Sequence, residues 1–137
     1  MVKISGKYEK DLRCDAVHEP SGTHLATDAP VDNQGKGESF SPTDLVATAL
    51  VTCIATTMAI FARRRGVELD GLRYEVTKEM STDAPRRIVK LATTIWVPFP
   101  AGCLPEGYLE KIAESCPVHQ SLNPQIEKPI TFHYASA

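Results

Sequence analysis

The chain has 137 residues, a net charge of −2 and four cysteines, and these values limit what it can be. The length suits a single domain, residues 1–137, with an ordinary core and no room for a separate cofactor domain. Basic residues cluster only at Arg63, Arg64 and Arg65, so the chain lacks the basic face that nucleic-acid binding requires. The N-terminus shows no secretory signal, so we expect a cytoplasmic protein whose cysteines are reduced at rest.

The first thirty residues have the pattern of three strands. Residues 3–8 alternate loosely, and residues 13–18 form a second run. A strong turn signal at residues 19–22 precedes a third predicted strand at residues 23–27. Residues 28–40, rich in Gly, Pro, Asp and Asn, then predict a surface loop of a length that is often functional in small domains.

An uncharged segment, residues 45–62, predicts a buried central helix. Ser41 suits its N-cap, Pro42 its first helical position, and Asp44 completes a capping box with Ser41. The arginine triplet and Gly66 mark its end, which we expect to be solvated. The predicted apolar stripe comprises Leu45, Ala49, Cys53, Ile54, Met58 and Phe61. A membrane span is the alternative, but four threonines and the lack of a second such segment favour a core helix.

The rest of the chain predicts a hairpin, two short helices and a final strand. Residues 72–78 and 87–97 are the two strands of the hairpin, on either side of a turn. Residues 106–115 form an amphipathic helix, residues 117–122 a further helical turn, and residues 130–134 the last strand. This order of elements indicates an α+β fold rather than a regular βαβ array.

Two of the four cysteines have settings that suggest redox chemistry. Cys53 lies within the long helix, where an isolated buried thiol is inert unless the fold brings a cation to it, and Arg13 is one candidate. Cys116 precedes Pro117, so we expect it to be the N-cap of the next helical turn. Backbone N–H groups at that position favour the thiolate, which would make Cys116 reactive.

A zinc site is the alternative interpretation of Cys116 and His119, which have Cys-x-x-His spacing. Only Cys103 and His133 could complete such a site, and both are distant in the sequence. Cys14 and Cys103 have no setting that favours reactivity, so we expect neither to take part in catalysis. We therefore predict that the protein uses no metal and no other cofactor.

Two segments give the chain a family resemblance: residues 40–53, FSPTDLVATALVTC, and residues 116–119, CPVH. Together with the layout of strands, central helix, hairpin and Cys-Pro, they resemble the OsmC/Ohr family of thiol peroxidases over almost the whole chain. The resemblance implies antiparallel sheets around a long central helix and an intertwined homodimer with active sites at the subunit interface. The chain is more similar to the OsmC-like branch than to the dedicated organic hydroperoxide reductases.

The resemblance also implies a mechanism. Cys53 would be the peroxidatic thiol, reducing an organic hydroperoxide, with hydrogen peroxide as a further candidate substrate, and becoming a sulfenic acid. Cys116 would be the resolving thiol that forms a disulfide with Cys53. A dithiol reductant would reopen the disulfide, and in the best-known family members that reductant is a lipoylated protein.

The chain departs from the family pattern at the start of the central helix. Organic hydroperoxide reductases place a glutamate ten residues before the peroxidatic cysteine, where this chain has Thr43. Glu38 and Asp44 are the alternative carboxylates that could hold Arg13, the position that matches the family's N-terminal arginine. Because Thr43 replaces the glutamate, the alternative function is a non-catalytic protein that binds a ligand in the dimer-interface pocket around Cys53.

Overall fold

The computed structural model describes all residues, Met1–Ala137, and its elements confirm the α+β prediction. The strands are β1 (Ile4–Lys10), β2 (Arg13–His18), β3 (Thr23–Asp28), β4 (Arg73–Met80), β5 (Ile88–Val97) and β6 (Ile130–Tyr134). The helices are α1 (Pro42–Arg63), α2 (Tyr108–Glu114) and α3 (Pro117–Ser121), and short 3-10 turns lie at Val31–Asn33 and Ala101–Cys103. The chain divides into two compact units, Met1–Val46 and Ala47–Ala137, and the expectation of a single domain stays a prediction.

The first unit is built on an antiparallel sheet with the strand order β1-β2-β3. Asp11 and Leu12 turn the chain between β1 and β2 with positive φ angles, and the Leu12 N–H donates to the Tyr8 hydroxyl at 3.2 Å. This turn places Arg13 at the start of β2, paired in register with Asp28 at the end of β3. Gly6 is needed opposite this strand, because a Cβ there would lie 2.0 Å from the backbone oxygen of Asp15.

The second unit contains a sheet with the order β4-β5-β6, in which β5 pairs antiparallel with β4 and parallel with β6. Alternate residues of β5 are buried, as expected for a strand with one face in a core: Leu91, Thr93, Ile95 and Val97. The buried residues of α1 in this unit are Ala47, Leu50, Val51, Ile54, Met58 and Ala62. Helix α2 adds Leu109, Ile112 and Ala113 to the buried set.

The predicted apolar stripe of α1 is therefore wrong in part. Ile54 and Met58 are buried as expected, but Ala49 is exposed, and Cys53 and Phe61 are only half-buried. The segment is uncharged on every side, so its sequence gives little contrast with which to choose the core-facing side.

Both predicted ends of α1 are confirmed. The Asp44 N–H donates to Ser41 Oγ at 3.1 Å, and Asp44 Oδ2 accepts the Ser41 N–H at 2.9 Å, so the capping box is reciprocal. Gly66 has a φ of 73°, and the Val67 N–H closes the last turn on the Ala62 carbonyl at 3.0 Å.

The arginine triplet at this end is exposed, as expected, but it also makes specific contacts. Arg64 lies over the Phe61 ring at 4.5 Å, and Arg65 lies over the Tyr108 ring at 4.8 Å. The Tyr108 hydroxyl donates to the Phe61 carbonyl at 3.1 Å, which ties the start of α2 to the end of α1. Such contacts help to place α2 and, after it, Cys116.

Helix α1 is long and apolar enough to cross a membrane by length and composition alone. One third of its most apolar stretch is buried within the protein, and the core helix of a soluble protein meets the same criteria. This property is therefore weak evidence for a membrane span.

Candidate active site

Cys116 occupies the N-cap of α3, as the sequence predicts. Its backbone is extended, with a φ of −62° and a ψ of 145°, and Pro117 takes the first helical position. The Cys116 Sγ accepts the His119 N–H at 3.3 Å. The residue is fully buried and lies two positions beyond Glu114, the last residue of α2.

The charge state of the Cys116 thiol is set by two opposing effects. Burial raises its pKa to about 11, and the hydrogen bond with Cys53 and the charge of Cys53 act in the same direction. The backbone N–H groups of His119 and Val118 lower the pKa, but by less. The expectation that the cap makes Cys116 a ready thiolate is therefore wrong in the reduced protein, because desolvation of the thiolate outweighs the capping hydrogen bonds.

Cys53 lies within hydrogen-bonding range of the Cys116 thiol, although the two residues are far apart in the sequence. It is half-buried on α1, at the edge of the buried stripe, and its Sγ lies 3.9 Å from Thr57 Oγ1 one turn further on. Both cysteines are free thiols. The structure thus brings together the two thiols that the sequence singles out, one buried and one partly open to solvent.

A charged cluster in the first unit contains Arg13, Asp28 and Glu38. The Arg13 NH2 group lies 3.0 Å from Glu38 Oε2 and 3.6 Å from Asp28 Oδ2. The pKa of Arg13 is raised chiefly by its hydrogen bond with Glu38 and by that carboxylate's charge, with a smaller effect from Asp28. Of the two carboxylates that the sequence left open, Glu38 is the one that pairs with Arg13, and Asp44 is bonded within the helix cap.

Asp28 is the member of this cluster that sequence reasoning missed. Its Oδ2 accepts the Glu38 N–H at 3.0 Å, and its own N–H donates to the Phe40 carbonyl at 3.0 Å. Aspartate is unfavourable in a strand, and Asp28 is the last residue of β3, at the start of the predicted surface loop. An aspartate at this position was the sequence signal that could have identified Asp28 as a functional candidate.

The residues considered for zinc are not grouped. Cys103 is exposed, and His133 stacks on Trp96 with ring centroids 5.7 Å apart. No group of three or more His, Cys, Asp or Glu side chains is arranged to hold a metal ion. Cys14 is exposed on β2, where it pairs in register with Tyr8 and Thr27.

The protein is thus an α+β protein with a pair of adjacent cysteines, one of which lies on its long central helix. A family model described as OsmC-like protein matches residues 35–129. The chain therefore belongs to the OsmC/Ohr family.

Solved structures agree with this assignment. A protein of Psychrobacter arcticus 273-4, provisionally described as an osmotic stress induced and detoxification response protein, is 40% identical, with a TM-score of 0.91. That match covers 97% of this chain and 96% of the other. A comparison with curated proteins found no match.

More distant structures share the fold. An organic hydroperoxide resistance protein OsmC of Legionella pneumophila is 12% identical with a TM-score of 0.73, and 96% of each chain is covered. The organic hydroperoxide resistance protein OhrB of Bacillus subtilis is 12% identical with a TM-score of 0.65, and the match covers 97% of this chain and 98% of that one.

Proposed function

We propose that this protein is a cysteine-based peroxidase that reduces organic hydroperoxides, and hydrogen peroxide as a further substrate. The observation that carries the proposal is the position of Cys53, half-buried and within hydrogen-bonding range of the Cys116 thiol. Membership of a family that includes hydroperoxide resistance proteins supports the same chemistry.

In the first step the Cys53 thiolate attacks one oxygen of the hydroperoxide. The S–O bond forms as the O–O bond breaks, the alcohol leaves after taking up a proton, and Cys53 becomes a sulfenic acid. A peroxidatic cysteine must be reached by its substrate, which agrees with the partial exposure of Cys53.

In the second step the Cys116 sulfur attacks the Cys53 sulfenic acid. A disulfide forms, and the sulfenic oxygen leaves as water with the thiol proton. The sulfenic acid needs a thiol close by, and the adjacent Cys116 meets this need. A dithiol reductant, for which we propose a lipoylated protein, would return both sulfurs to thiols by exchange.

The high pKa of Cys116 fits the order of these steps. At neutral pH Cys116 stays protonated, so it brings no second negative charge near the Cys53 thiolate that the first step requires. We further propose that Arg13, held by Glu38, supplies the positive charge that favours the Cys53 thiolate, and that the working enzyme is a cytoplasmic homodimer.

Disulfide mapping after oxidation tests this function. Reduced protein treated with one equivalent of cumene hydroperoxide is expected to form a Cys53–Cys116 disulfide, detected by mass spectrometry, faster than untreated protein. Cys53→Ser is expected to abolish peroxide consumption, because it removes the attacking sulfur. Cys116→Ser is expected to let Cys53 proceed to sulfinic and sulfonic acids, because no thiol traps the sulfenic acid.

Cys14→Ser and Cys103→Ser are the matched controls, since both cysteines are exposed and neither is among the groups that shift the pKa of Cys116. Each is expected to keep the wild-type rate of peroxide consumption. Unmodified Cys53 after treatment would reject the peroxidase and favour a ligand-binding protein instead.

A further inference from the structure

The carboxyl group of Asp28 is the most deeply buried charged group in the first unit. Asp28 is 1% exposed, while Glu38 has 59% of its side chain in contact with solvent. A buried carboxylate is unfavourable unless a cation and hydrogen-bond donors compensate it. The only cation paired with Asp28 is Arg13, at 3.6 Å, which is itself partly buried.

This arrangement gives Arg13 one buried and one exposed partner. The exposed Glu38 side chain is free to move into solvent. If Arg13 moved with it, the buried charge of Asp28 would be left without a cation. Two neighbouring polar atoms, Arg13 Nε and Asp28 Oδ1, are buried without a hydrogen-bond partner. A side-on pairing of the guanidinium and the carboxylate would join these two atoms by a second hydrogen bond. Neither atom has another hydrogen-bond partner.

The same carboxylate also holds the loop that carries Glu38. Asp28 Oδ2 accepts the Glu38 N–H at 3.0 Å, and the Asp28 N–H donates to the Phe40 carbonyl. One oxygen atom therefore faces both the backbone of Glu38 and the guanidinium of Arg13. The position of the loop and the position of the arginine are linked through that oxygen.

We propose that Asp28 is a positioning residue that fixes Arg13 and the backbone of Glu38 in one arrangement. This inference rests on the proposed function for its catalytic consequence, because Arg13 acts there on the Cys53 thiolate. Asp28 does not touch the reacting atoms in this proposal. It acts through Arg13 by limiting where the positive charge lies.

Two substitutions separate the two tasks of Asp28. Asp28→Asn keeps an oxygen that accepts the Glu38 N–H but removes the charge that faces Arg13. Asp28→Ala removes both. Asp15→Asn is the matched control, because Asp15 lies on the same sheet and its carboxylate pairs with His24 at 3.1 Å, outside the cluster.

Limited digestion with trypsin measures the loop directly, since Lys36 lies within it. Cleavage after Lys36 is expected to be faster in Asp28→Ala by on the order of fivefold, because the loop opens more often when its anchor is lost. Asp28→Asn and Asp15→Asn are expected to be cleaved at about the wild-type rate. Equal cleavage of wild-type and Asp28→Ala protein would overturn the role of Asp28 in the loop.

The activity of Asp28→Asn distinguishes positioning from simple electrostatics. Removing a negative charge near Arg13 would by itself favour the Cys53 thiolate, shifting the pH midpoint of Cys53 alkylation down and raising the rate of peroxide reduction. If Asp28 positions Arg13, the midpoint moves up instead, and the rate falls by on the order of tenfold because the charge is misplaced. A wild-type midpoint and rate in Asp28→Asn would overturn the proposal.

If wild-type protein neither consumes peroxide nor forms the Cys53–Cys116 disulfide, the proposed function fails but the positioning remains testable. A double-mutant cycle of Arg13→Gln and Asp28→Asn then decides, with the urea midpoint of unfolding as the readout. Non-additive shifts support the restraint of Arg13 by Asp28. Additive shifts overturn it.

Discussion

At the scale of single residues, Cys116 shows how burial can reverse a local electrostatic effect. The helix cap directs two backbone N–H groups at its sulfur, and both favour the thiolate. Full burial favours the neutral thiol more strongly and raises the pKa to about 11. The result is a thiol that is correctly placed to attack a sulfenic acid but carries no charge at neutral pH.

This pKa predicts how stability depends on pH. The thiol's ordinary pKa is 9.0, so between about pH 9 and pH 11 the unfolded chain has released a proton that the folded protein still holds. The free energy of unfolding should therefore be highest below this window and fall as the pH rises through it. The loss should be on the order of 3 kcal/mol, at about 1.4 kcal/mol for each of the two units of pKa difference.

Urea unfolding of the reduced protein at several pH values between 7 and about 11 measures this effect. Cys116→Ser is the reference, because a serine hydroxyl does not titrate in this range. The stability difference between wild-type and Cys116→Ser protein is expected to change across the window. A difference that stays constant would show that Cys116 ionises in the folded protein as easily as in the unfolded chain.

At the scale of elements, the start of α1 depends on capping hydrogen bonds between residues close in the sequence, and these residues can be recognised from the sequence. Ser41 and Asp44 each satisfy the backbone N–H of the other, and Ser41 is buried. These bonds use N–H groups that the first turn of a helix leaves without partners. The helix therefore begins where the sequence predicts.

Ser41→Ala should destabilise the protein by about 1 kcal/mol, the usual cost of losing an N-cap side chain. The measurement is the urea midpoint of unfolding at neutral pH. Ser136→Ala is the control, since Ser136 is exposed and lies outside every helix and strand. An equal effect of both substitutions would mean that the Ser41 cap contributes nothing to stability.

At the scale of the whole molecule, a large amount of apolar surface is left uncovered. Ile60 on α1 is 54% exposed, and in the first unit only Asp28 and Ser41 are buried. Only a third of the most apolar stretch of α1 is buried in a single chain, and a second copy would cover more of it. The homodimer therefore stays our prediction, with this exposed surface as its physical support.

Light scattering coupled to size-exclusion chromatography tests the dimer. One chain has a mass of 15.0 kDa, so two copies give 2 × 15.0 = 30.0 kDa. Ile60→Glu is expected to weaken the dimer, because a charge would have to be buried at the contact. Lys36→Glu, in the exposed loop, is the control and should leave the mass unchanged. A monomer at micromolar concentration in the wild-type protein would contradict the prediction.

The sequence by itself determined the order of the elements, the ends of α1 and the Cys116 cap. These features depend on capping residues, turn residues and alternation, which act between neighbours in the chain. It also singled out Cys53 and Cys116, whose adjacency only the folded chain could show.

The tertiary structure decided which face of α1 is buried, the pKa of Cys116 and the part of Asp28 in the arginine cluster. Each depends on groups that are far apart in the sequence. The sequence of a helix that is apolar on all sides does not indicate which face is buried. The desolvation that raises the pKa of Cys116 depends on the atoms around the thiol in the folded protein, not on its neighbours in the sequence. Asp28 became meaningful only when folding placed Arg13 and Glu38 beside it.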